Sequence, residues 1–174
     1  MLAHKLILYA EDEEDDVILM QLAFKRAAIG HRLETVANGD QAVEYLMGSG
    51  AYGDRDKHPL PCLILLDLKM PGKSGLEVLK WIRTQPCTCL LPVIVLTSSN
   101  QESDVHRAYL LGANGYLIKP GKPDELVTMV KGIRDFWLTQ NRVPEGCVNL
   151  TGEAGISQRR SVDQVVARVG IGAG

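Results

Sequence analysis

Five short apolar runs constrain this chain more than any other feature of it. KLILYA (5–10), CLILL (62–66) and LPVIVLTSS (91–99) are apolar with little alternation, so strands built from them have no wet face and must be covered on both sides. RLETVA (32–37) alternates as a strand does, and NGYLIKP (114–120) reads as a fifth. The segments between them carry helical periodicity. DDVILMQLAFKRAAIG (15–30) has acids at its start, where the helix dipole favours them, and Gly30 as its expected stop. GDQAVEYLMGSG (39–50) is a short helix leading into the polar loop AYGDRDKHPLP. Ser74 can cap a helix to about Gln85, with Leu76, Leu79 and Ile82 recurring at spacings of three. ESDVHRAYLLG (102–112) puts Val105, Ala108, Tyr109 and Gly112 on one face, and PDELVTMVKGIRDFWLTQ (123–140) is a last helix with Pro123 in its first turn.

Strands alternating with helices imply a mostly parallel sheet with helices on both faces, since every crossover is right-handed and carries a helix. Such sheets place their ligands at the carboxyl ends of the strands. Four of the strand ends here are polar: Glu11-Asp12 after the first strand, Asp67 after the third, Thr97-Ser98 at the fourth and Lys119-Pro120 after the fifth. Two carboxylates about 4 Å apart repel by about 4 kcal/mol at an effective dielectric near 20, so three that converge need a cation. An all-oxygen set without His or Cys suits a hard divalent ion, with Mg²⁺ expected. Beside such an ion Asp67 can act as a nucleophile toward phosphorus, with Lys119 neutralising charge and the Thr97 hydroxyl donating to a phosphoryl oxygen.

Composition bounds the alternatives. The chain has 174 residues, 45% hydrophobic, with 19 basic against 21 acidic side chains and a formal charge of -2, which is no nucleic-acid binder's composition. It has neither an apolar stretch of about 18 residues nor a leader-like N-terminus, so a cytoplasmic protein without membrane segments is expected. Cys62, Cys87, Cys89 and Cys147 form no pair of C-x-x-C units and read as reduced structural thiols. His4, His31, His58 and His106 read as surface residues.

The combination ILYAED (7–12), LILLDLKMPGKSGLEVL (63–79), VIVLTSS (93–99) and GANGYLIKP (112–120) closely resembles the receiver domain of two-component response regulators, over about residues 3 to 140. The resemblance implies a doubly wound, flavodoxin-like α/β fold with strand order 2-1-3-4-5 and five helices. It also implies that Asp67 accepts a phosphoryl group from a sensor histidine kinase and that Glu11, Asp12, Asp67 and the main-chain carbonyl of Lys69 hold Mg²⁺. By the same resemblance Lys119 pairs with the phosphoryl group, while Thr97 and Tyr116 form a conformational switch. The protein would be a phosphoacceptor rather than an enzyme, beyond its own phosphorylation and dephosphorylation. The long loop from Gly48 to Pro61 and the DFWLT ending of the last helix resemble single-domain regulators that partner phytochrome-type kinases.

Leu126, Val130, Ile133 and Trp137 make one core stripe on the last helix, with Val127, Met129 and Phe136 partly off it. A homodimer or partner face formed by the last strand and last two helices is therefore expected. A receiver domain is expected over 3–143, followed by a Gly-rich tail over 144–174 that is mostly disordered or holds one short helix at Ser161, Val162, Val165, Val166 and Val169. No DNA-binding module is expected. Two other classes fit poorly. An aspartyl-nucleophile phosphatase on a similar sheet would want a second Asp two residues after the first, where Lys69 stands, and a flavin carrier would find EDEEDD at its phosphate loop.

Overall fold

The computed structural model describes residues 6–143; the expected tail, with Cys147 and the Ser161 segment, lies outside the described residues, as does His4. β1 (Leu6–Ala10), β2 (Arg32–Val36), β3 (Leu63–Leu66), β4 (Val93–Thr97) and β5 (Gly115–Ile118) form one parallel sheet in the order β2-β1-β3-β4-β5. β1, β3 and β4 are buried throughout, as their continuous apolar runs require, while the edge strands β2 and β5 keep partly exposed positions. α1 (Glu14–Arg26) and α5 (Pro123–Ile133) cover one face, with Ile7, Tyr9, Leu65 and Leu96 beneath them. α2 (Gly39–Met47), α3 (Gly75–Thr84) and α4 (Glu102–Leu110) cover the other, over Leu8, Ile64, Leu66 and Val95.

The ladder continues past the strand ends, and this places the polar groups. Glu11 N–H donates to the Val36 carbonyl (3.0 Å), Asp67 N–H to the Ala10 carbonyl (3.0 Å) and Lys119 N–H to the Thr97 carbonyl (2.9 Å). Each of these residues is thus placed by the strand beside it. The chain after Asp67 turns at once. Gly75 starts α3 directly against the Asp67 carbonyl, where a Cβ would overlap it, and Ser74 closes a reciprocal capping box with Glu77.

Several expectations are corrected. α1 stops at Arg26, not at Gly30, because Ala28 takes the left-handed conformation (φ 53°) and closes the helix with Ile29 N–H on the Phe24 carbonyl. Ile29 packs on the core, so the turn must precede it. α4 buries Ala108 alone among its residues, and Tyr109 is exposed; a small residue brings that helix close to the sheet. Val127 lies in the core with Leu126, Val130 and Ile133, since α5 packs on both the sheet and α1. From Arg134 to Gln140 the last helix widens into π turns, which leave Trp137 half-buried and Phe136 exposed. Cys62 precedes β3 and is half-buried. His58 is no plain surface residue: it stands edge-on to Tyr45 and Tyr52, at ring distances of 5.8 and 5.3 Å, inside the loop after α2. That loop is built rather than merely polar, because Arg55 ties the Tyr45, Leu46 and His58 carbonyls together.

Candidate phosphoacceptor and metal site

The carboxyl ends of β1, β3, β4 and β5 open into a cleft of about 180 Å³ lined by Asp12, Glu13, Asp16, Asp67, Lys69, Thr97, Ser98 and Lys119. Of the expected residues, Asp12, Asp67, Lys69, Thr97 and Lys119 line it, Glu11 joins through its carboxylate, and Tyr116 stands apart from it. Glu11, Asp12 and Asp67 each present a carboxylate oxygen within 4.8 Å of the others, with Glu11 and Asp67 buried and Asp12 half-buried. Oxygen donors alone, crowded and short of positive charge, fit a hard divalent cation. Leu68 N–H donates to Asp67 Oδ1 (2.6 Å), with a longer contact from Lys69 N–H (3.4 Å), so Oδ2 is the freer oxygen. It faces Lys119 Nζ at 3.3 Å.

Among the described residues, Lys119 is the one cation bonded to the cluster. Its ammonium also bonds Glu11 and, at 2.7 Å, Asp16. Burial alone would pull this ammonium's pKa down, but the hydrogen bonds to Asp16 and Glu11 and the charge of Asp67 outweigh it and hold the group above its ordinary value. Glu11 is raised, first by burial and further by Asp67, against the opposing pull of Lys119. Tyr9 donates its hydroxyl to Glu11 Oε2 (2.8 Å), and burial followed by the Glu11 charge pushes that phenol far above its usual range.

Thr97 is buried at the end of β4, its Oγ1 in long contact with Ser99 N–H (3.4 Å). Tyr116 is half-buried against the core on the α4 side, and its hydroxyl donates to the Ser99 carbonyl (3.0 Å). The ring is therefore tied to the loop that follows Thr97. Sequence reasoning missed Tyr9 and Asp16. Tyr9 had a signal, since residues two apart on a strand share a face and Glu11 follows it by two. Asp16 had none that set it apart from its acidic neighbours.

Residues 7–131 match the family described as the response regulator receiver domain. The chain is a response regulator receiver. Response regulator Rcp1 of Synechocystis sp. is 41% identical to this receiver over 140 residues, which are 80% of this chain and 93% of that protein. The crystal structure of the phosphorylated cyanobacterial phytochrome response regulator RcpA superposes with a TM-score of 0.76 at 39% identity, covering 82% of this chain and 99% of that one. The Mn²⁺-bound form of Rcp1 superposes with a TM-score of 0.72 at 41% identity, covering 80% and 99%. The carboxylate group of this receiver and the metal-bound relative agree on a divalent cation site. Among the described residues no helix is long and apolar enough to cross a membrane.

Proposed function

We propose that this receiver takes a phosphoryl group from the phosphohistidine of a phytochrome-type sensor kinase onto Asp67. The observation that carries the reading is the buried Asp67 carboxylate, held through Oδ1 by main-chain donors with Oδ2 turned to Lys119. Oδ2 attacks phosphorus, the P–O bond forms as the P–N bond to the kinase imidazole breaks, and the imidazole leaves with the electron pair. Glu11, Asp12, Asp67 and the Lys69 carbonyl would hold Mg²⁺, which when bound supplies positive charge against the oxygens of the transferring group. Lys119 pairs with one phosphoryl oxygen. Thr97 is brought to another, and because Tyr116 is bonded to the Ser99 carbonyl, the loop after β4 and the Tyr116 ring shift together. The protein acts as a cytoplasmic phosphoacceptor, without a turnover chemistry beyond its own phosphorylation and dephosphorylation.

The receiver unit is taken as 3–143 and 144–174 as its tail. Output runs through protein contacts rather than DNA. Tyr109 and Leu110 on α4, Ile118 on β5 and Phe136 beyond α5 are 52%, 73%, 52% and 51% exposed, an apolar surface suited to a second copy of this chain. Sedimentation at several concentrations with beryllofluoride and Mg²⁺ should show a changed association constant, and Phe136→Ala should weaken association; an unchanged constant in both cases removes this face.

Incubation with phosphoramidate and Mg²⁺ should add one base-labile phosphate to wild type and none to Asp67→Asn. Equal labelling of the two proteins overturns the reading.

A further inference from the structure

An ammonium has three N–H donors, and three carboxylates of this chain take those of Lys119: Glu11, Asp16 Oδ2 at 2.7 Å and Asp67 Oδ2 at 3.3 Å. Glu11 and Asp67 belong to the carboxylate group that fits a divalent cation, and Asp16 does not. Asp16 stands in the first turn of α1, where it lines the cleft and also borders a smaller hollow with Tyr9, Met20 and Leu126. We propose that Asp16 is a positioning residue for phosphoryl transfer: its carboxylate holds Lys119 so that the remaining N–H points at the oxygen of Asp67 that receives phosphorus. The inference rests on Asp67 as phosphoacceptor.

The physical need for such a residue is specific. Lys119 follows an edge strand whose last residue, Ile118, is exposed, and a lysine stem in that place tends to carry its head into water. The Lys119 side chain is nevertheless only 12% exposed, because its head is bonded on three sides. Of the three bonds, the one to Asp67 is the longest and is the one a phosphoryl oxygen replaces. Two legs then remain to aim the third, and Glu11 is shared with the cation site. Asp16 is the leg with no other partner to serve in the cluster. It also couples the start of α1 to the end of β5, two elements far apart in sequence that meet at this ion pair.

The test compares wild type, Asp16→Ala and Asp16→Glu, each alone and in a Lys119→Met background, with phosphoramidate and saturating Mg²⁺. Removing one charge-assisted hydrogen bond to the ammonium should slow phosphorylation about tenfold in Asp16→Ala. Asp16→Glu, which keeps a carboxylate, should recover part of the rate. In the Lys119→Met background Asp16→Ala should cost nothing further, because the cycle isolates the pair. A second measurement needs no metal: reductive methylation followed by mass spectrometry should modify Lys119 faster in Asp16→Ala than in wild type. Equal phosphorylation rates for wild type and Asp16→Ala, an equal loss with and without Lys119, or unchanged methylation of Lys119 would each overturn the proposal. If wild type itself takes no phosphate on Asp67, the phosphoacceptor reading falls first and this inference falls with it.

Discussion

The two rims of the sheet treat charge in opposite ways. At the amino-terminal rim two arginines end mainly on backbone carbonyls. Arg83, near the end of α3, donates to the carbonyls of Gly112, Cys89 and Leu91 and to Asn114 Oδ1, at 2.7 to 3.1 Å. Arg55 does the same for the end of α2. At the carboxyl-terminal rim, Glu11, Asp16 and Asp67 bond the ammonium of Lys119, and Asp12 lies beside Glu11 and Asp67. The first arrangement satisfies acceptors that helix ends and turns would otherwise leave open, and so holds the chain together. The second keeps like charges close at a cost in stability, which a divalent cation among the carboxylates would relieve. One rim is built to stay as it is, and the other to accept a ligand.

That contrast can be broken at either rim. Arg83→Ala should have the largest effect on the fold, a loss on the order of 3 kcal/mol, because one side chain ties α3 to the turns before β4 and β5. Urea denaturation measures it, and a loss near zero would mean that water replaces the guanidinium without cost. Asp12→Asn should act in the reverse sense. Mg²⁺ affinity by calorimetry should fall by about tenfold or more, while the metal-free fold is kept or gains stability as repulsion is relieved. Loss of stability without loss of affinity would place Asp12 in the first class of group.

The smallest effect concerns alkaline pH. Tyr45 is buried, its hydroxyl on the Pro59 carbonyl at 3.0 Å, and burial pushes the phenol from 10.0 up to about 12. A folded-state value raised above the unfolded one gives a contribution that is whole below pH 10 and is lost as pH climbs toward 12. Wild type should therefore lose about 1 kcal/mol more than Tyr45→Phe by pH 11, read as the difference between their denaturation midpoints. Parallel pH profiles would show that the loop around Tyr45 opens before the phenol ionises.

How much of this was legible beforehand differs by element. β1, β3 and β4 could be read from their apolar runs because burial on both faces leaves no room for alternation. Asp67 stood out because an acid directly after such a strand lies at the carboxyl end of a parallel sheet, where such sheets place their ligands. The Ser74 cap was visible because it depends on residues three apart. The end of α1 was not, since Gly30, four residues past Arg26, was the stronger local signal and only the packing of Ile29 moved the turn to Ala28. Nor were the burial of Val127 against α1 and the aromatic setting of His58, which depend on neighbours from other elements.

The sequence by itself determined the strand and helix order, the chemistry gathered at the strand ends and the family to which they belong, because periodicity and residue type act over a few neighbouring positions. Tertiary structure decided which groups pair. That Lys119 is shared by Glu11, Asp16 and Asp67, and that Tyr9 serves Glu11, follows from parallel strands whose ends lie side by side and from α1 starting above them. The partner of Lys119 most distant in sequence is set by a separation of 108 residues along the chain, which only the closed sheet brings within bonding distance.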